Sequence, residues 1–147
     1  MDIIIRELCE NDDPYKYMKL LSNLTILNPE LIQIKDYMNK LALIKSIPNH
    51  KIYIAVIDGI IVGTITTIIE PKFIHNLSNV CHIEDVVVDP LYRNLGIGSK
   101  LIDYAIKLGK ESGCYKIILD CNKHNIAFYE KKNMKISGSQ MAIYMNE

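Results

Sequence analysis

Apolar positions change their spacing several times along the chain, and each change marks a new element. "DIIIREL", residues 2–8, opens with a β-branched run and predicts a first strand. In "NDDPYKYMKLLSNL" the period becomes helical, with Tyr17, Leu20, Leu21 and Leu24 on one face. Asn11 to Asp13 offer caps there, and Pro14 suits a first helical position. Asn28 and Pro29 start a second predicted helix, "PELIQIKDYMNKLALIK", which ends near Pro48. "KIYIAVI" and "IIVGTITTIIE" are β-branched runs divided by Asp58-Gly59, a strong hairpin signal because both turn residues must take positive φ. Pro71 closes that strand, "FIHNLSN" reads as a polar loop, and "VCHIEDVVV" as a fourth strand.

After a glycine-punctuated turn, "SKLIDYAIKLGKES" carries Leu101, Ile102, Ala105, Ile106 and Leu108 on one helical face, and Gly113 is placed to end it. "YKIILDC" reads as a buried strand, "HNIAFYEKKN" as a short helix and "KISGSQMAIYM" as a final hairpin. The order predicts an α+β, or mixed α/β, fold with helices on both faces of one sheet. The strands flanking the long helix should run parallel, because such a connection crosses over.

Composition narrows the class. The chain has 147 residues, about one domain, and 49% are apolar, so it buries a core without staples. With 17 basic and 17 acidic side chains the net charge is zero, which argues against nucleic-acid or polybasic membrane partners. The start, "MDIIIRELCE", has an acid at position 2 and no basic n-region, and predicts a cytoplasmic address. Cys9, Cys81, Cys114 and Cys121 form no C-x-x-C pair, and no His pair has ligand spacing. They read as small buried hydrophobes, and no metal site is expected.

Candidate chemistry concentrates in "HIEDVVVDPLYRNLGIGSKL". "RNLGIGSKL" sets Arg93, Gly96 and Gly98 between a strand and a helix N-terminus, where free amides and the helix dipole favour an anion such as phosphate. It lacks the G-x-x-x-x-G-K-[ST] of a P-loop, and Leu101 stands where a dinucleotide fingerprint needs its third glycine. Glu84 and Asp85 are adjacent on a strand, so the pleat sends them to opposite faces unless a bulge intervenes. Asp120 follows "YKIIL" at a strand end, where an unpaired carboxylate is unusual if buried.

"VVVDPLYRNLGIGSKLI" resembles the acetyl-CoA motif of GNAT-superfamily acetyltransferases, whose turn reads [RQ]-x-x-G-x-[GA]. "HIEDVVV", "GCYKIILDCNKHNIAFYEK" and "EPKFIHNL" are similar to the glucosamine-6-phosphate N-acetyltransferase family within it. The resemblance implies a mostly antiparallel twisted sheet with one parallel pair, acetyl-CoA as co-substrate and an amino-sugar phosphate as acceptor. The reaction would serve UDP-N-acetylglucosamine biosynthesis, by direct attack in a ternary complex, in a homodimer with shared sites. It also implies a bulge at the two acids.

Carried over residue by residue, the resemblance gives coenzyme contacts at Val86, Val87, Val88, Arg93, Asn94, Leu95, Gly96, Ile97, Gly98, Ser99, Asn125 and Tyr129. Acceptor contacts would be Ser22, Lys72, His75, Glu84, Asp85, Val86, Tyr115, Lys116 and Asp120. Acyl transfer to an amine needs a neutral nitrogen, so a carboxylate is expected to receive a proton, directly or through water; Glu84 is the candidate, with Asp85 the alternative that could face the amine instead. Asp120 would orient the amine, Tyr129 would protonate the leaving thiolate, and the Val86 amide would meet the oxyanion. Tyr144 stands where the family often has a basic residue for the phosphate, and Asn94 where glycine is common. The other readings are a GNAT enzyme acting on a protein N-terminus, lysine or polyamine, and a catalytically silent acyl-CoA-binding module.

Overall fold

The computed structural model describes residues 1–146. One sheet of five strands runs in the order β1 (Ile4–Glu7), β2 (His50–Ile57), β3 (Ile60–Pro71), β4 (Asn79–Val88) and β5 (Cys114–Ile118). Neighbours from β1 to β4 pair antiparallel, and β4 with β5 is parallel. The helices are α1 (Pro14–Leu21), α2 (Ile34–Ser46), α3 (Ile97–Glu111) and α4 (Ile126–Glu130). This is the predicted α+β fold, with α3 as the crossover that a parallel pair requires.

Local signals act where expected. Asp13 caps α1, its carboxylate accepting from the Lys16 amide at 3.2 Å. Asp58 and Gly59 turn the β2–β3 hairpin with φ of 49° and 77°. On one sheet face α3 buries Ile97, Leu101, Ile102 and Ala105 against Tyr53, Ile65, Ile69, Cys81 and Ile83. On the other, Leu8, Tyr17 and Leu41 close over Ile54 and Val56. Gly109 lets α3 approach β5, because a Cβ there would lie 2.9 Å from Ile117 Cδ1.

Several expectations are corrected. The helix predicted from Pro29 is a 3₁₀ turn, Pro29–Leu31, followed by extended Ile32 and Gln33 before α2 begins. Pro29 packs inward while Leu31 and Ile34 stay exposed, so no burial rewards a continuous helix. α1 stops at Leu21, and Leu24 is exposed beyond it. "FIHNLSN" is a tight turn with His75, Asn76 and Leu77 all left-handed, at φ of 51°, 59° and 62°. β5 is half-buried rather than buried, since as the sheet edge it has β4 on one side only. Cys81 is buried, but Cys121 is exposed and Cys9 and Cys114 are intermediate. The final hairpin does not form: residues 134–146 contain no strand, and Ile136, Met141, Ile143, Tyr144 and Met145 are exposed. Alternation alone does not hold a two-stranded ribbon that buries neither face.

Candidate active site

β4 and β5 pair only from Asn79 to His82 on β4 and from Cys114 to Ile118 on β5. Beyond His82, β4 continues to Val88 with β3 on one side and no strand on the other. The sheet therefore opens into a fork whose β4 edge leaves main-chain groups for a strand-like ligand arm.

At the mouth of the fork the chain turns through Pro90–Tyr92 into Arg93, Asn94, Leu95 and Gly96 before α3. Asn94 and Gly96 are left-handed, at φ of 64° and 81°, and this geometry starts the helix abruptly. The amides of Ile97, Gly98 and Ser99 form the unsatisfied first turn of a 15-residue helix with no acid in that turn. A Cβ on Gly98 would lie 3.4 Å from Phe128 and 3.7 Å from Val88, so α4 closes against both turn and strand. That contact brings Tyr129, next to Phe128, to the fork. The two rings meet edge-to-face at 5.0 Å. Burial first, then the neighbouring Cys121, raises the Tyr129 phenol above its ordinary value, so it stays protonated at neutral pH. Asn125 precedes α4, exposed, with its side chain capping nothing.

The two adjacent acids do not follow the simple pleat. Thr64 pairs with Val87 and Thr66 with Glu84, so Asp85 and Val86 together oppose only Ile65. That is a β-bulge, and Asp85 adopts φ of 50° within it. Glu84 and Asp85 are consequently both exposed, where strict alternation would bury one. Burial first, then the charges of Asp85 and Asp120, raise the Glu84 carboxyl, while His82 opposes them. Asp85 also acts on Tyr17, whose buried phenol is pushed up to about 12. Asp120 lies past the end of β5 and is exposed, not at a buried strand terminus. Its Oδ2 accepts from Gln140 Nε2 at 2.9 Å, so the C-terminal segment reaches the acids.

His75 stacks on Tyr115 at 3.8 Å, and Lys116 Nζ stands 5.6 Å from the same ring centre. Lys72 Nζ is 3.1 Å from Glu70 Oε1, which is also 2.9 Å from His82 Nε2. Ser22 is committed locally, its hydroxyl donating to the Lys19 carbonyl at 2.5 Å. Glu70 was not singled out by sequence reasoning, and no local signal marks it, because its partner His82 lies across the strand ladder. Among the described residues, no cluster of His, Cys, Asp and Glu suits a metal, and no helix is long and apolar enough to cross a membrane.

The acetyltransferase (GNAT) family profile matches residues 18–134. The glucosamine 6-phosphate N-acetyltransferase of Trypanosoma brucei brucei is 35% identical over 97% of this chain and 96% of its own. That of Candida albicans is 33% identical over 92% and 91% respectively. The crystal structure of the Arabidopsis thaliana glucosamine-6-phosphate N-acetyltransferase superposes with a TM-score of 0.92 at 33% identity, covering 99% of this chain and all of that one. The forked sheet, the amide-rich turn and these likenesses agree: the chain belongs to the GNAT acetyltransferases and, within them, to the glucosamine 6-phosphate N-acetyltransferase family.

Proposed function

We propose that the fork between β4 and β5 is where this chain transfers an acetyl group from acetyl-CoA to the amine of D-glucosamine 6-phosphate, giving N-acetylglucosamine 6-phosphate and CoA. One observation carries the reading: a single unpaired strand edge runs from a bulge flanked by acids to an amide-rich helix start. Acetyl-CoA supplies the thioester. Its diphosphate fits the Arg93–Ser99 turn, where free amides are uncrowded by side chains at Gly96 and Gly98. The exposed main chain of Val86, Val87 and Val88 suits the pantetheine arm, and Asn125 borders it.

Glu84 takes the amine's proton, its own affinity for a proton being raised by burial and by Asp85 and Asp120. Asp120 orients the attacking nitrogen, with Asp85 beside it. The Val86 amide, at the bulge, donates to the oxyanion; loss of one such donor typically costs about 3–4 kcal/mol. Tyr129, kept protonated by burial, returns a proton to the departing thiolate. Attack is direct, in a ternary complex. The sugar phosphate meets Lys72, His75 and Lys116, with Tyr115 as the platform between the last two. Ser22, at the end of α1, reaches the acceptor only by giving up its bond to the Lys19 carbonyl.

A thiol-release assay with a panel of amines tests the substrate. Glucosamine 6-phosphate should outpace free glucosamine, peptides and polyamines by at least about 100-fold, since a desolvated phosphate pairing is lost with the others. Equal rates on glucosamine would refute the phosphate assignment. Coenzyme binding without thiol release on any amine would make the chain a silent binding module.

Residues 1–147 act as one domain in this reading, in the cytoplasm, as a homodimer. The exposed apolar side chains of Ile136, Met141, Ile143, Tyr144 and Met145 and the free edge of β5 support the dimer. An extended segment laid along that edge would bury both. Light scattering is expected to give twice the monomer mass, and a monomer after removal of residues 134–147; a monomeric intact chain would refute it.

A further inference from the structure

His82 precedes Glu84 by two residues on β4, so both side chains leave the same sheet face about 6.6 Å apart along the strand. His82 Nε2 lies 2.9 Å from Glu70 Oε1. Glu70 stands near the end of β3, diagonal to His82, whose direct partner across the ladder is Ile68. The same Glu70 oxygen is 3.1 Å from Lys72 Nζ. One carboxylate thus holds both the His82 ring, one pleat from Glu84, and the Lys72 ammonium on the adjoining loop. We propose that His82, held by Glu70, is a positioning residue for deprotonation of the amine. A positive charge on that ring, one pleat from Glu84, favours the carboxylate form in which Glu84 accepts a proton. This rests on Glu84 being the base.

The surrounding charges explain what a positive charge on His82 does. Asp85 on β4 and Asp120 beyond β5 both favour the neutral acid at Glu84, as does burial, and His82 acts against all three. Tyr17, on α1, stays neutral at working pH. Lys72 is tied to Glu70, whose carboxyl is held below its ordinary range first by His82 and then by Lys72. A protonated Glu84 is too weak a base to take the ammonium proton. With a neutral residue in place of His82, the three acids would therefore confine activity to higher pH.

The test is kcat/KM against pH for the full chain with acetyl-CoA and glucosamine 6-phosphate. His82→Gln should move the acidic limb up by about half a pH unit, the effect of one unit charge about 6.6 Å away at water-like screening. His82→Lys retains a cation and should leave the limb where the wild type has it. A limb that stays put in His82→Gln, or moves equally in His82→Lys, overturns the proposal. A folding defect lowers rates at every pH without moving the limb, so it does not mimic the result. Failure of the wild type to use glucosamine 6-phosphate would be a different outcome, refuting the acceptor assignment, on which this proposal rests.

Discussion

Asp120→Ala is expected to lower kcat/KM for glucosamine 6-phosphate by about 10²–10³-fold, within the range for a positioned proton-transfer or amine-orienting group. The fold should be indifferent to the change. Asp120 is exposed and, among the described residues, its side chain bonds only to Gln140, in a segment without strand or helix. A surface substitution of this kind shifts the melting temperature by no more than about 2 °C. The loss should appear mainly in kcat if Asp120 orients the attacking nitrogen, because that interaction matters most in the transition state. A second signature follows from electrostatics. Asp120 is one of two acids raising Glu84, so its removal should move the acidic limb of the rate profile to lower pH. Asp120→Asn should share that shift. Unchanged turnover in Asp120→Ala would sink the assigned role.

Tyr129→Phe should reduce kcat by about 10²-fold, the low end for a general acid, with little change in coenzyme affinity. The ring packs against the core beside Phe128, and Phe keeps that packing, so the deficit isolates the hydroxyl. Burial keeps the phenol protonated, which is the form a thiolate needs from its partner. The deficit should shrink with an acyl donor whose thiol is more acidic, since such a thiolate leaves without help. An equal deficit with both donors would assign Tyr129 to packing or binding instead.

Much of this site was legible before the fold was known, for reasons that are local. Asp13, Pro14, Asp58-Gly59 and Gly113 act through their own backbone and nearest neighbours, so their effects survive in any context. The turn "RNLGIG" likewise encodes its own left-handed geometry and helix start. The pleat, by contrast, misplaces one of the two acids. Whether β4 bulges at Asp85 depends on its register with Thr64 and Thr66 of β3, which no periodicity within β4 reports. The trio of Glu70, Lys72 and His82 was hidden for the same reason. It joins residues across a strand ladder, and each alone reads as a solvated charge. The closing hairpin failed in the opposite direction: its pattern is sound, but pattern gives no stability without a surface to cover.

The sequence by itself determined the strands β1 to β5, the long helix, the glycine turn and the family, though not the start of α2 or the closing hairpin, because caps, turns and motif spacing are short-range properties. The tertiary structure alone decided where β4 and β5 part, that the bulge exposes both Glu84 and Asp85, that Phe128 closes on Gly98, and that His82 meets Glu70. Each of those depends on residues distant in the chain being held within a few ångströms by packing on one sheet, a constraint that only the folded core imposes.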